Sequence, residues 1–188
     1  MRNRLLILFS FSVIFLSGCA DRAKLSVEPS NELLEEGHFE INYPSDWKIA
    51  TETYYPDPDF DKTLFTFQHP KNKNCQLTIE ILDLKSPSQM QSILNRIMPQ
   101  KIRQLQIVFS KDGYGDFSFR TIKNDFSDEP ATQIFATARK SQKERETTTV
   151  FIPYKNMIYI LTYQWFSSWP SDVKSRLKET LHSFRFVH

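Results

Sequence analysis

The sequence predicts an α+β fold, in which an antiparallel β-sheet is sandwiched by helices. Three observations indicate this fold. Many short segments alternate polar and apolar residues with the two-residue period of a strand. Two other segments place apolar residues at helical spacing, one in the middle of the chain and one near its C-terminus. The strands between them are joined by short crossings, which is typical of an antiparallel meander packed against helices.

The first half of the chain is predicted to form three strands. They cover residues 38–43 (HFEINY), 63–68 (TLFTFQ) and 76–84 (QLTIEILDL), which all show the alternation. Residues 44–46 (PSD) predict a turn that leads into Trp47.

Two helices are predicted. The first begins at Ser86-Pro87, because serine is a good cap and proline is tolerated in the first turn. Pro99 is expected to end or kink this helix. Its apolar face consists of Met90, Ile93, Leu94, Ile97 and Met98. The second helix follows residues 169–172 (WPSD), and its apolar stripe consists of Val173, Leu177, Leu181 and Phe184.

Five further strands are predicted between residues 104 and 165. A polar crossing at residues 139–145 separates two of them, and Lys155-Asn156 fits a tight hairpin turn. The five segments read LQIVFS, DFSFRTI, ATQIFATAR, TTTVFIPY and MIYILTYQW.

The N-terminus has the three parts of a secretion signal. Arg2 and Arg4 are followed by an uncharged apolar segment at residues 5–16 and then by small residues. A helix of that length rises about 18 Å, which is too short for a hydrocarbon core of about 30 Å. Residues 1–18 are therefore predicted to be a cleaved signal peptide.

The end of this segment, Leu16-Ser17-Gly18-Cys19, resembles the lipobox of bacterial lipoproteins. The resemblance implies that the thiol of Cys19 receives a diacylglycerol and that the new amine is acylated in many bacteria, for example with palmitate. Two or three acyl chains would hold the protein on a membrane. Residues 19–36 are then a lipidated N-terminus with a polar tether, and residues 37–188 form one domain.

Charge and cysteine content limit the possible functions. Without Arg2 and Arg4, the 24 lysines and arginines fall to 22, which equals the 22 acidic residues. This balance provides no overall field for binding nucleic acid. With Cys19 lipidated, Cys75 is the one remaining thiol, so no intrachain disulfide is expected.

The segment from Phe39 to Trp47 (FEINYPSDW) resembles the F-x-I-x-Y-P-x-x-W opening of PsbP-like domains. Residues 157–163 (MIYILTY) and 181–186 (LHSFRF) are similar to the end of such domains. The resemblance implies a central antiparallel sheet between helices. This fold occurs in extrinsic subunits of photosystem II and in many bacterial lipoproteins without an assigned activity. It does not by itself imply a photosynthetic role.

The strongest candidate for a metal site is the segment that contains Asp57, Asp59 and Asp61. Carboxylates at the first, third and fifth positions of a loop suit calcium. An EF-hand would also need glycine at the sixth position and glutamate at the twelfth, where this chain has Lys62 and Gln68. A solvated loop is therefore the preferred interpretation, and neither a metal nor another cofactor is predicted.

Covalent catalysis would have to use Cys75. His69 precedes it by six residues across a turn, and a nearby histidine can lower the pKa of a thiol. A small apolar thiol in a buried strand is the more common situation. No catalytic residue is therefore predicted.

Two surfaces are candidates for binding. Trp165, Phe166 and Trp169 lie at the junction between a strand and a helix, where they could line a ligand pocket or a partner patch. A core staple at the end of the sandwich is the preferred interpretation. The basic crossing at residues 139–145 could contact phosphates, although a solvated hairpin tip is the preferred interpretation.

These features favour a non-enzymatic binding or assembly accessory that is anchored in the cell envelope. Its expected partners are the membrane, through the lipid on Cys19, and an envelope protein. One alternative is a small-ligand carrier with a pocket beneath Trp165 and Trp169. Another is a hydrolase that uses Cys75 or a metal at the aspartate loop. Ala20 resembles the residue found after the lipidated cysteine in outer-membrane lipoproteins, so a periplasm-facing outer-membrane location is expected in a Gram-negative host.

Overall fold

The structure is a computed structural model, and it describes residues 31–36, 38–54, 57–71 and 75–187. The predicted signal peptide, Cys19 and the first part of the predicted tether lie outside these residues.

The described chain forms two antiparallel sheets and two α-helices, with a short 3₁₀ helix at Pro87–Gln89. The helices are α1 at Met90–Lys111 and α2 at Ser171–His182. The strands are β1 at Asn31–Glu36, β2 at Phe39–Pro44, β3 at Lys48–Tyr54, β4 at Phe60–Gln68, β5 at Gln76–Leu84, β6 at Gly115–Phe126, β7 at Glu129–Lys140, β8 at Lys143–Tyr154, β9 at Met157–Phe166 and β10 at Arg185–Phe186.

The larger sheet has seven strands in the order β3-β4-β5-β9-β8-β7-β6. The chain fills one half of it from β3 to β5, and α1 then carries the chain to the far edge. From β6 the chain returns as a meander until β9 pairs with β5. Lys155 has a φ of 54° in the β8–β9 turn, where a tight hairpin was predicted.

The smaller sheet has the order β1-β2-β10 and corrects one boundary of the prediction. Asn31–Glu36 belongs to the predicted tether but forms β1 and pairs with β2 along its whole length. The half-buried side chain of Leu34 also packs against the core. Strand β10 was not predicted, because two residues are too few to show a period.

Pro99 does not end the first helix, and the predicted strand at LQIVFS is wrong. Helix α1 continues through Pro99 to Lys111. Pro99 is exposed, and Ile97 and Phe109 remain buried on one side of the helix. Tertiary burial of this stripe outweighs both the proline and the strand preference of the β-branched residues.

Both faces of the larger sheet are covered, and the predicted α+β sandwich is confirmed. Strand β2 and helix α2 cover the first face, and α1 covers the second. The core of the first face includes Phe39, Ile41, Phe67, Leu77, Ile79, Ile152, Tyr159, Leu161, Leu177, Leu181 and Phe184. The core of the second face includes Phe60, Leu82, Ile93, Leu94, Ile97, Ile134, Phe151, Ile158 and Ile160. Neither α-helix of the described chain combines the length and apolarity that a transmembrane segment needs.

An ion cluster beneath the middle of α1 attaches this helix to the sheet. Glu80 of β5 is 6% exposed and accepts hydrogen bonds from Lys62 of β4, at 2.7 Å, and from Lys101 of α1. Burial alone would raise the pKa of Glu80, but the two ammonium groups outweigh it and hold the pKa below its ordinary value of 4.5. Glu80 is therefore ionised at neutral pH and holds two strands and the helix together.

We expect Glu80→Gln to destabilise the fold by about 3 kcal/mol at pH 7, because it leaves two lysines facing a neutral group. Since the folded-state pKa of Glu80 is lowered, its contribution is complete above pH 4.5 and is lost as the pH falls through the folded-state value. The difference between the two proteins, measured by urea unfolding, should therefore shrink below pH 4.5. Glu52→Gln on the exposed edge strand β3 is the matched control. An equal loss in both variants would contradict the role of the cluster.

Pro99→Ala should raise the free energy of unfolding by about 2 kcal/mol. Alanine restores the N–H that proline lacks inside the helix, while the gain in unfolded-state entropy offsets part of the benefit. Urea unfolding of this variant beside Gln100→Ala measures the effect. A loss of stability would mean that the packing of α1 depends on a bend at Pro99.

Candidate functional site

Cys75 lies directly before β5 and is fully buried. Burial raises the pKa of its thiol to about 11. The backbone N–H of His69 donates to the Cys75 carbonyl, but the imidazole packs edge-on against Trp47, and its Nδ1 accepts from the Lys71 N–H at 3.2 Å. Among the described residues, no hydrogen bond joins this thiol to a histidine. The arrangement does not form the activated pair that the hydrolase alternative requires.

In a chain that carries Cys19→Ser, we expect the Cys75 thiol to be unreactive toward a disulfide reagent at pH 8. A thiol with a pKa of about 11 is ionised to only about one part in a thousand at that pH, and burial also blocks access. One equivalent should react after unfolding in guanidinium chloride. Rapid reaction of the folded protein would contradict this prediction and would support Cys75 as a nucleophile.

The three aspartates of the predicted metal loop are not grouped around a common point. Arg96 of α1 binds Asp59 at 2.9 Å and Asp57 at 3.3 Å, and the Asp59 N–H donates to Oδ1 of Asp57. Asp61 lies 3.7 Å from Lys85 instead. Within the described ranges, no three histidine, cysteine, aspartate or glutamate side chains form a potential metal site. Asp57 and Asp59 therefore attach their loop to α1.

Two of the three aromatic residues of the predicted binding junction, Trp165 and Phe166, point to opposite faces of the sheet. Trp165 packs on the first face against Tyr163, with their ring centres 5.1 Å apart. Trp165 and Trp169 both contact the core of the first face. Phe166 points to the second face, toward Tyr114. The ring centres of Trp169 and Phe166 lie 5.2 Å apart. Of these three residues, Phe166 lines the groove described below.

The residue that organises this end of the molecule is Arg145, which the sequence analysis assigned to a solvated crossing. Arg145 is 6% exposed, and its guanidinium lies over the rings of Phe109, at 4.9 Å, and Phe166, at 5.4 Å. It donates to Oδ2 of Asp112 at 2.5 Å and to Oε1 of Gln164 at 2.6 Å. A buried charge needs such partners, because burial without them is strongly unfavourable.

An open groove of about 780 Å³ lies beside Arg145, and we call it the hairpin groove. The predicted polar crossing is in fact two strands joined by a two-residue turn at Ser141 and Gln142. Lys140 donates to the Asp112 carbonyl at 2.9 Å, and its ammonium lies 6.0 Å from the Tyr114 ring. The groove is lined by Asp112, Tyr114, Lys140, Ser141, Gln142, Lys143 and Phe166. Aromatic walls with lysines at the rim suit recognition of a partner that carries negative charge.

Compared by sequence, the chain matches no protein-family model and no curated protein. Compared by structure, it is similar to the cyanobacterial PsbP protein (CyanoP) of Synechocystis sp. PCC 6803, with a TM-score of 0.56 and 14% identity over 85% of this chain and 94% of that one. This similarity shows that the fold is PsbP-like.

Two further solved structures resemble the chain less closely. A protein of Bacteroides thetaiotaomicron VPI-5482 has a TM-score of 0.44 and 8% identity over 86% of this chain and 49% of that one. LpqN of Mycobacterium tuberculosis, described as involved in cell envelope biogenesis, has a TM-score of 0.41 and 12% identity over 85% of this chain and 91% of that one.

Proposed function

We propose that this chain is a lipid-anchored accessory protein of the bacterial cell envelope, which binds or helps to assemble a partner and catalyses no reaction. The hairpin groove carries this proposal. Its lining offers two aromatic faces, two ammonium groups, the Asp112 carboxylate and two uncharged polar side chains. Groups of this kind bind a surface with geometric and charge complementarity.

The predicted lipid on Cys19 supplies the location. Residues 20–30 connect Cys19 to β1, and eleven extended residues reach about 36 Å. This length allows the folded domain to meet partners close to the membrane surface. Ala20 favours the periplasmic side of the outer membrane in a Gram-negative host, since it resembles the residue found at that position in outer-membrane lipoproteins.

We expect Cys19→Ser to abolish incorporation of radioactive palmitate and to release the protein from membranes. The hydroxyl of serine is a much poorer nucleophile than the thiol that receives the lipid. The chain supplies its own control, because Cys75→Ser should keep both the label and the membrane association. Labelling that survives Cys19→Ser would refute the anchor.

Crosslinking in intact cells, followed by purification of the chain, should recover a reproducible envelope partner. Lys143→Glu reverses one charge at the rim of the hairpin groove and should reduce recovery by about tenfold, since like charges oppose docking. Lys123 is exposed on β6 outside the groove, so Lys123→Glu should leave recovery of the partner unchanged. Equal recovery with both variants would remove the groove from the proposal.

A further inference from the structure

The last turns of α1 carry an exposed pair of aliphatic residues between two cations. Ile107 and Val108 are 54% and 43% exposed. Arg103, Ile107 and Lys111 follow one another at four-residue spacing, so they are neighbours on the helix surface, and all three are exposed. The solvent side of a helix on a globular domain is ordinarily polar, so this aliphatic pair is a departure from the usual pattern.

The charge at this end of α1 is positive. The helix contains four basic residues and no acidic one. Arg96 and Lys101 bind carboxylates of the aspartate loop and of β5, whereas the two basic residues beside the aliphatic pair are exposed. Residues 103–116 and the adjoining hairpin at residues 139–145 together contain six basic side chains and three acidic ones. This end of the domain therefore complements a surface that carries negative charge.

The segment that leads back to Cys19 joins the domain at this same end. Asn31, the first residue of β1, pairs with Pro44, and the turn after Pro44 leads into the start of β3. In the register of the larger sheet, the start of β3 lies at the same end as the end of β9 and the start of β8. Arg145, near the start of β8, binds Asp112 at the end of α1. A lipid on Cys19 therefore brings this end of the domain, rather than the opposite one, toward the membrane.

We propose that Arg103, Ile107, Val108 and Lys111, which we call the α1 patch, dock on the surface of a bilayer that contains anionic phospholipid. The two cations contact headgroup phosphates, and the aliphatic side chains enter the interface between them. Two aliphatic side chains are a weak attachment, so the patch orients a domain that the lipid already holds at the membrane. The inference thus rests on the proposed lipid anchor, but none of the four residues lines the hairpin groove.

Two dye positions on α1 test the contact. Ser92→Cys and Ser110→Cys each attach a fluorescent dye at an exposed position, about five turns apart on the same side of the helix and about 27 Å from each other. The lipidated protein is purified from membranes in detergent and reconstituted into phosphatidylcholine vesicles, with or without phosphatidylglycerol, that contain a spin-labelled quenching lipid. Cys75 is buried, and the parent protein controls for labelling at that residue.

We expect the dye at Ser110 to be quenched in vesicles with phosphatidylglycerol and to lose most of this quenching in phosphatidylcholine alone. The dye at Ser92 should stay unquenched in both. Equal quenching of the two dyes would overturn the assignment to the end of α1. Absence of quenching at Ser110, in protein that stays on the vesicles, would overturn the docking and leave the anchor intact. Protein that does not stay on the vesicles would overturn both.

Two matched pairs of substitutions test the residues of the α1 patch. Arg103→Glu should reduce quenching of the Ser110 dye at least about threefold, because it reverses a charge that faces the headgroups. Lys123→Glu reverses an exposed charge on β6 and should leave quenching unchanged. Val108→Ser should reduce quenching about twofold, whereas Val187→Ser, at a valine that is 41% exposed on β10's end of the domain, should not. Equal quenching within either pair would overturn the proposal. Because the vesicles contain no other protein, this result is independent of partner recovery in cells.

Discussion

The rest of the structure depends on the burial of strand β9 from both sides. Four consecutive residues, Ile158 to Leu161, are each no more than 1% exposed. Since successive strand residues point to opposite faces, such a strand is stable only if both faces of its sheet are covered. Helix α1 supplies one cover before the meander, and α2 with β2 supplies the other. The crossing of α1 to the far edge of the sheet follows from this requirement.

The candidate site lies at the C-terminal end of α1. Beneath the last turns of α1 the sheet presents the polar residues Arg145, Thr147 and Gln164. Ala136 and Ala138 of the same sheet pack against Phe109. The guanidinium of Arg145 is kept there by an ion pair, a hydrogen bond and two aromatic rings. Phe166 of this cluster also lines the hairpin groove. A single buried cation thus contacts two residues of the hairpin groove, Asp112 and Phe166.

Sequence periodicity predicted the strands with clear alternation and the stripe of α2, because these patterns are local. It failed for the second half of α1, where LQIVFS has strand propensity but Phe109 is buried by distant residues of the sheet. Phe166 was named as a candidate because two tryptophans lie beside it in the sequence, whereas Arg145 was included in a crossing interpreted as solvated. The partners of Arg145, Asp112 and Gln164, are remote in sequence. The alternation of Arg145 with Thr147 and Thr149 was the available signal, since it continues the inward-facing period of Phe151.

Helix α1 is held by three ionic contacts along its length. Arg96 binds the aspartate loop near the start, Lys101 binds Glu80 in the middle, and Asp112 at the C-cap binds Arg145. Apolar packing is not directional and allows a helix to slide, whereas charged hydrogen bonds fix its position. The aspartate loop, whose pattern suggested a metal site, therefore has a mechanical role. It fixes the start of the helix whose C-cap residue, Asp112, lines the hairpin groove.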